Sequence, residues 1–434
     1  MNIIKIGGSK ILTSKELYNL ILILNNVDEK HFYIVSAFGK TTSILNKSLE
    51  FAKIKDNSYK QILNHIFHFH LNLLNNESFI FDKNNTSFIK FHDNFVNILK
   101  DIELKLNAIY TLGNYSNKTK DKILSYGEII AFEVLSFALQ IYNIEKFTLI
   151  NATEFVITNE NYGNAEINFE LTKQKLLKLI ENQNSNNQYL YITQGFIGNS
   201  INGNITTMGY ESSNLTAVVI ANIFETNSIT IVSDTFGILN SDPRFFDNNL
   251  TIKHLNYKDA EILSLLGVKL LYQKMINFAI LNNITLYYKS LYNYDNFYDT
   301  IIDTNSSILN SSVYLCDVKY KKFDLNGLDI NNLFNNTKLE NSDYIFSNSL
   351  YTNKVLLSEN FIPLIKISIF NFKLNNFEKF YSKYSFIIDN IITDNSINTI
   401  FIFFDKIKMK EFCDENLDYK NFEKELFSEI KLYL

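Results

Sequence analysis

The first apolar positions of the chain fall in residues 2–6, where a short strand carries Lys5 inside it. Gly7-Gly8-Ser9 follows, then an amphipathic repeat over Lys15–Leu24 that Ser14 is placed to cap. Phe32–Ser36 predicts a second strand, which runs into a small polar loop and another helix. Strand, glycine turn, helix and strand in this order predict a parallel sheet with crossover helices. From Ser58 to Gln140 the apolar residues recur at three- and four-residue spacing and predict three helices. Short strands are expected at Phe147–Ile150 and Phe155–Ile157, and a helix at Phe169–Ile180.

Tyr191–Arg244 then reads as strand, glycine-studded loop, helix, strand and loop, and Gly195, Gly198, Gly203 and Gly209 crowd its first third. Two helices (Tyr257–Leu266, Val268–Leu281) and a strand (Ile284–Tyr288) follow. Beyond Gly267 only Gly327 remains, and this shift, with the Asn/Asp/Ser-rich Asp303–Ser312, places a domain boundary near residue 300. The tail predicts strand Phe361–Phe370, helix Asn375–Tyr384, strands Ser385–Ile392 and Thr399–Phe404, and helix Tyr419–Leu432. That βαββα order is the pattern of a ferredoxin-like α+β unit, and residues 313–357 are expected to hold a poorer second copy.

Length and composition narrow the picture. A chain of 434 residues calls for two or three domains. With 46% hydrophobic and 20% charged residues it is globular rather than disordered. A net charge of −5 without a lysine stripe argues against nucleic acid as a partner. Cys316 and Cys413 form no metal or redox spacing. The strand at the N-terminus leaves no room for a signal peptide, and no apolar run reaches the roughly 20 residues of a membrane span. A soluble, cytoplasmic protein is expected.

Candidate chemistry gathers at strand ends. Gly7 and Gly8 let backbone N–H groups approach a phosphate, and Lys5 offers it a positive charge, although the spacing is not that of a P-loop. Ser36 and Thr42 bracket the loop after the second strand, where open parallel sheets bind ligands; they are equally ordinary turn and cap residues. Glu128 sits on an otherwise apolar helix face, so it is either buried against a partner, turned into a cleft, or on an outward-curving surface. Ser233 and Asp234 close a strand, and Asp234 is a candidate to face a ligand or the metal of a nucleotide complex. Arg244, the only arginine among 41 basic residues, offers a bidentate fork to an anion, and Lys269 is a second candidate phosphate cation at an expected helix start. His65, His68 and His70 have no carboxylate or cysteine at ligand spacing and are read as packing or surface.

Together these segments resemble aspartokinases of the amino acid kinase family. The matching pieces are Lys5-Ile6-Gly7-Gly8-Ser9, Ile34-Val35-Ser36-Ala37, Tyr126-Gly127-Glu128, Gln194–Gly198, Thr206–Gly209 with Ser213, Ser233-Asp234 with Asp242-Pro243-Arg244, and Gly267-Val268-Lys269. The resemblance implies an α/β fold, an open αβα sandwich over residues 1–300, with an ACT-like regulatory region over 301–434. It implies ATP and Mg²⁺, L-aspartate as substrate, an amino-acid effector at the C-terminal region, and a homodimer. A fused homoserine dehydrogenase is not expected at this length. By the same resemblance Lys5, Gly7, Gly8, Ser9, Ser233, Asp234, Leu239, Arg244 and Lys269 are ATP-side positions. Ser36, Thr42, Glu128, Phe196, Tyr210 and Ser213 are aspartate-side, with Lys5 and Asn214 at the catalytic positions.

The sequence departs from the family at one turn. Tyr210 stands where the family has the arginine that holds the α-carboxylate, and Asn214 where it has the aspartate that organises the catalytic lysine. Glu211 and Ser212 replace two glycines between them. Losing a charge-assisted contact costs about 1.5–3 kcal/mol. The expected activity is transfer of the ATP γ-phosphoryl group to the β-carboxylate of aspartate. The alternatives are a degenerate kinase fold that binds without efficient turnover, and a kinase for another small carboxylic acid.

Overall fold

The computed structural model describes the chain apart from residues 26–29, 76–85, 143, 145–146, 183–189, 292–297, 306–308, 310–311, 325–343, 347–348, 353–361, 371–376, 386, 395–398, 417–418 and 434. The chain forms two compact units: Met1–Thr235 with Asn277–Phe297, and Phe236–Ile276 with Tyr298–Leu434.

The chain opens with β1 (Asn2–Ile6), α1 (Ser14–Asn25), β2 (His31–Val35) and α2 (Thr41–Lys53). Three long helices follow: α3 (Ser58–Leu73), α4 (Thr86–Leu112) and α5 (Asn117–Ile141). Next come β3 (Phe147–Leu149), α6 (Ala152–Phe155), β4 (Ile157–Thr158), α7 (Phe169–Asn182), β5 (Leu190–Gln194), β6 (Ile197–Ser200), β7 (Ile205–Thr207), α8 (Ser213–Ile223) and β8 (Ser228–Ser233). After β9 (His254–Asn256), α9 (Tyr257–Leu265) and α10 (Gln273–Asn282), β10 (Thr285–Ser290) completes the strands of the first unit.

Its main sheet runs β3-β5-β2-β1-β8-β10, with every neighbouring pair parallel. Both faces of such a sheet are covered, which is why the β2 and β5 sequences HFYIV and LYITQ read as continuous apolar runs instead of alternating. Ile6 is level with Val35 and Val232, and Val35 is level with Gln194. This register brings Gly7, Ser36, Gly195 and Ser233 to one rim, at the carboxyl ends of four adjacent strands. Helix α8, apolar on nearly all sides, packs on β1, β2 and β8. Helix α5 is long and apolar enough to cross a membrane by composition, contrary to the sequence expectation. Its apolar window is 78% buried against α2, α4 and neighbouring strands, so it is the first unit's core helix.

The second unit holds the parallel pair β9 and β11 (Thr300–Asp303) and an antiparallel sheet. That sheet contains β12 (Val313–Asp324), β13 (Tyr344–Phe346), β14 (Ser349–Thr352), β15 (Ile362–Phe370), β16 (Ile388–Asp394) and β17 (Thr399–Asp405), in the order β13-β14-β12-β15-β17-β16. Its helices are α11 (Phe377–Tyr384), α12 (Lys406–Asn416) and α13 (Tyr419–Tyr433). Period-two alternation sorts its side chains: Ile365, Ile367, Ile369, Ile400, Ile402 and Phe404 pack with Phe380, Met409 and Leu426 from the helices. Phe401, Phe403 and Leu364 pack on the other face. The α/β class and ferredoxin-like tail thus stand as expected. Residues 325–343 and 353–361, where most of the second copy was expected, lie outside the described residues.

Three local expectations are corrected. The helix expected at Val268–Leu281 begins only at Gln273, because Gly267 and Leu270 turn the chain at φ +87° and +74°. Phe155–Ile157 is the end of a helical turn and the start of a two-residue strand, with the Asn151 side chain capping at 3.1 Å from Thr153 N. Helix α12 was not expected; Asp405 starts it by accepting from Ile407 N at 2.8 Å.

Candidate active site

At the end of β1, Gly7 N donates to the Val232 carbonyl at 2.9 Å, and the Gly8 carbonyl accepts from Ile11 N (3.0 Å) and Gly39 N (2.8 Å). A Cβ on Gly8 would lie 2.2 Å from the Ala37 carbonyl oxygen and 2.6 Å from that of Ser36. Glycine is therefore a steric necessity here, and it lets the turns after β1 and β2 touch. Ser9 lies exposed beyond it. Lys5 directs its Nζ to within 3.7 Å of where a Gly7 Cβ would stand. Burial lowers its pKa to about 8, opposed by the carboxylates of Glu211, Asp234 and Glu128. Asp234 also faces Lys10 at 3.9 Å. Ser233 is buried, and its hydroxyl donates to the Thr235 carbonyl at 3.2 Å.

Glu128 enters the rim from α5. A Cβ on the preceding Gly127 would stand 2.6 Å from Thr42 Oγ1 and 3.2 Å from Ala37 Cβ, so glycine brings the helix against the loop after β2. The Glu128 side chain is buried, at 4% exposure. Its Oε1 accepts from Ala37 N at 3.3 Å, and its Oε2 has no partner. Burial pushes its pKa up to about 8, opposed by the Ala37 N–H, its own backbone, Lys5 and Thr42. Ser36 and Thr42 are half-buried beside it. Two helical turns earlier, Asp121 accepts from Thr207 N (2.7 Å), Thr207 Oγ1 (2.9 Å) and Gly163 N (2.9 Å), fixing α5 to β7. Sequence reasoning passed over Asp121, although its seven-residue spacing from Glu128 was a readable signal.

The third wall follows β5. A Cβ on Gly195 would fall 2.5 Å from Ser213 Cβ, which fixes the first turn of α8 against this strand end. Phe196 is buried with φ +65°, and its ring lies 6.4 Å from that of Tyr210. Tyr210 is 60% exposed. Ser212, Ser213 and Asn214 are buried, and Ser212 Oγ and Asn214 Oδ1 have no partner. Unpaired buried polar atoms are uncommon and costly, and with Glu128 Oε2 three of them lie in this part of the first unit.

The structure thus gathers Lys5, Gly7, Gly8, Ser36, Thr42, Glu128, Phe196, Tyr210, Ser213, Asn214, Ser233 and Asp234 in the first unit. Leu239, Arg244 and Lys269 belong to the second. Leu239 pairs with Thr251 in a β-bridge. Arg244 holds Asp242 through Nε and Nη2, at 2.9 and 2.6 Å, and lies over the Phe245 ring. Lys269 is exposed on the turn before α10, not at a helix start as expected. His70 is buried among Phe69 and Phe95, its Nδ1 donating to the Ile66 carbonyl at 2.8 Å. Among the described residues no group of three or more His, Cys, Asp or Glu side chains is arranged to hold a metal ion.

Residues 1–289 match the pattern of the amino acid kinase family. The chain belongs to that family. Among curated relatives, the maize bifunctional aspartokinase/homoserine dehydrogenase 2 is 22% identical over 294 residues. That alignment takes in 67% of this chain and 31% of the relative, so the chain spans about a third of its length. Among solved structures, Escherichia coli aspartokinase III with aspartate and ADP (R-state) superposes with a TM-score of 0.72 at 16% identity, covering 95% of this chain and 98% of that one. The same enzyme with lysine and aspartate (T-state) gives 0.64 at equal identity and coverage. These likenesses show the fold that the chain shares with those structures. The rim thus carries two glycine turns, a half-buried lysine and a buried carboxylate with one unpartnered oxygen.

Proposed function

We propose that the protein is an aspartate kinase. A β-carboxylate oxygen of L-aspartate attacks the γ-phosphorus of MgATP. The bond from that phosphorus to the bridging oxygen breaks, and its electron pair leaves with ADP. The β-carboxylate is already ionised at neutral pH, so no general base is needed, and catalysis reduces to aligning two anions and spreading charge. Lys5 serves the transferred phosphoryl group, and Gly7, Gly8 and Ser9 line the phosphate path. Ser233 and Asp234 complete the nucleotide side within the first unit. Glu128 receives the substrate ammonium on its unpartnered oxygen, with Ser36, Thr42, Phe196, Tyr210 and Ser213 around the acceptor. Asn214 stands at the position that steadies Lys5. Mg²⁺ arrives with the nucleotide, since Mg²⁺ keeps waters and phosphate oxygens as its main ligands.

The observation that carries this reading is one rim that holds Lys5 at the end of β1 and the buried Glu128 from α5, with Glu128 Oε2 unpartnered, in a chain of this family. Residues 1–300 are assigned to catalysis and 301–434 to an ACT-like region that takes an amino-acid effector, a reading supported by the lysine-bound neighbour. A homodimer in the cytoplasm is the working assembly. A hydroxamate assay for acyl phosphate with aspartate, ATP and Mg²⁺ tests the activity: coloured product that depends on all three is expected. No product at high aspartate, with ATP still bound, overturns it.

A further inference from the structure

Asp121 is a fully buried carboxylate near the start of α5, and the phosphoryl-transfer step has no use for it. It precedes Glu128 by seven residues, or two helical turns, so both carboxylates project from one face of a single element. Its three hydrogen bonds come from outside that helix. Oδ2 accepts from Thr207 N (2.7 Å) and Gly163 N (2.9 Å), and Oδ1 accepts from Thr207 Oγ1 (2.9 Å). Gly163 presents its N–H from a turn with φ +84°, where a Cβ would stand 4.0 Å from Asp121 Oδ1. The Thr207 carbonyl accepts from Ala165 N at 3.0 Å, so the loop after β4 and the end of β7 close together round the carboxylate. Strand β7 ends at Thr207, which is level with Ile197 on β6. Met208 N then donates to the Phe196 carbonyl at 3.1 Å, and the chain turns through Gly209, at φ +95°, to Tyr210 and Ser213. The acceptor-side groups therefore come from two bodies. Glu128 stands on α5, while Phe196, Tyr210 and Ser213 stand on the β6–β7 hairpin and the turn that leaves it. Asp121 joins one body to the other.

We propose that Asp121 is a positioning residue for the acceptor: by clamping α5 to the end of β7 it sets where Glu128 stands against the wall formed by Phe196, Tyr210 and Ser213. It touches neither substrate. Its effect falls on the acceptor and spares the nucleotide, because the turn after β1 and the end of β8 make no bond to it. The inference rests on the aspartate-kinase reading for what occupies the rim, but the clamp itself is measurable without turnover.

The test is steady-state kinetics of the full-length protein with Asp121→Ala and Asp121→Asn side by side. Alanine removes all three bonds. Asparagine has nearly the same shape, and with its oxygen in the place of Oδ2 it still accepts from both N–H groups. Its amide then donates to the Thr207 hydroxyl, which can accept as well as donate. In Asp121→Ala, KM for aspartate should rise at least about tenfold while KM for ATP stays within about twofold, since misplacement by one ångström can cost on the order of 10²-fold. Asp121→Asn should bring KM for aspartate back to within about threefold of wild type. Thr207→Val removes the hydroxyl donor alone and should raise KM for aspartate a few-fold, which keeps the test open where Asp121→Ala does not fold. Equal changes in both KM values, or an asparagine variant no better than the alanine one, overturn the proposal. Deuterium exchange is read on the same proteins. Peptides spanning 208–214 should exchange faster in Asp121→Ala and Thr207→Val and at the wild-type rate in Asp121→Asn, while peptides from β1 and β2 stay unchanged. If the wild type makes no acyl phosphate but this pattern holds, the aspartate-kinase reading falls and the clamp stands. Unchanged exchange over 208–214 overturns the clamp whatever the activity.

Discussion

Two turns at the rim of the first unit are determined in different ways. The turn after β1 is determined by sterics: Gly8 sits where any Cβ would collide with two carbonyl oxygens of the neighbouring turn. The turn before α8 is determined by charge and burial: Glu211 holds a positive φ without being glycine, and Ser212 and Asn214 bury polar atoms that lack partners. The first kind of turn tolerates almost no change and announces itself in the sequence. The second tolerates substitution in its backbone requirement, so side-chain chemistry is free to move along it. The amino acid kinase pattern therefore persists at Lys5–Ser9 and is redistributed at Tyr210–Asn214.

The sharpest way to break this comparison is at the lysine beside the first turn. Lys5→Met keeps most of the stem and removes the ammonium. It should lower kcat for acyl-phosphate formation by about 10²–10³, the range seen when one preorganised donor to a developing charge is lost. Steady-state kinetics with intact ATP binding checks it, and a loss of less than about threefold would place the charge-stabilising role elsewhere. Gly8→Ala attacks the steric turn instead. Backbone must move to admit the methyl group, so a loss of about 3 kcal/mol is expected in chemical denaturation.

The pH profile distinguishes the two charges of the rim. Glu128 must be ionised to accept an ammonium group, and Lys5 must be protonated to meet a phosphoryl group. Burial brings both near pH 8 from opposite directions. The profile of kcat/KM should be a narrow bell centred there, rising as Glu128 ionises and falling as Lys5 deprotonates. Glu128→Gln should remove the acidic limb and leave the alkaline one. Its stability effect has the opposite sign to that of a salt-bridged carboxylate. A carboxyl pKa raised by folding favours the folded state below the unfolded value, and that contribution is lost as pH rises through about 8. The glutamine variant should therefore gain stability relative to wild type in alkaline buffer.

Tyr210→Arg tests the redistributed turn directly. Tyr210 is largely exposed and packs loosely on Phe196, so an arginine has room to adopt a new rotamer. Restoring a charge-assisted contact to an α-carboxylate should lower KM for aspartate by tens-fold, from about 1.5–3 kcal/mol. KM for ATP should stay within twofold. If both constants change together, Tyr210 is not on the acceptor side.

How much of this was legible in the sequence follows from the same distinction. Strands β2 and β5 were readable because parallel strands buried on both faces appear as near-continuous apolar runs. Lys5, Gly7 and Gly8 stood out because a strand end followed by paired glycines has few physical reasons to exist. Glu128 was conspicuous as a charge on an apolar helix face. Arg244 drew notice through composition alone, yet its guanidinium engages Asp242, two residues away, which no count of arginines predicts. Lys269 was assigned to a helix start because Gly267 resembles a boundary, but Leu270 also turns to positive φ and delays α10. Glu211 was read as a lost glycine. The structure keeps a glycine-like φ of +66° there, which the residue type alone does not predict.

The smallest effect sharpens the comparison furthest. An L-residue in the left-handed region costs about 1–2 kcal/mol, a cost that glycine does not carry. Glu211→Gly should therefore stabilise the fold by about 1 kcal/mol in urea denaturation. Gly203 supplies the contrast: it also has positive φ, +79°, with no atom within 4 Å of where a Cβ would stand. Gly203→Ala should cost about 1 kcal/mol. Equal and opposite stability changes at these two turns would establish that the left-handed backbone itself, not lost contacts, sets the cost at each.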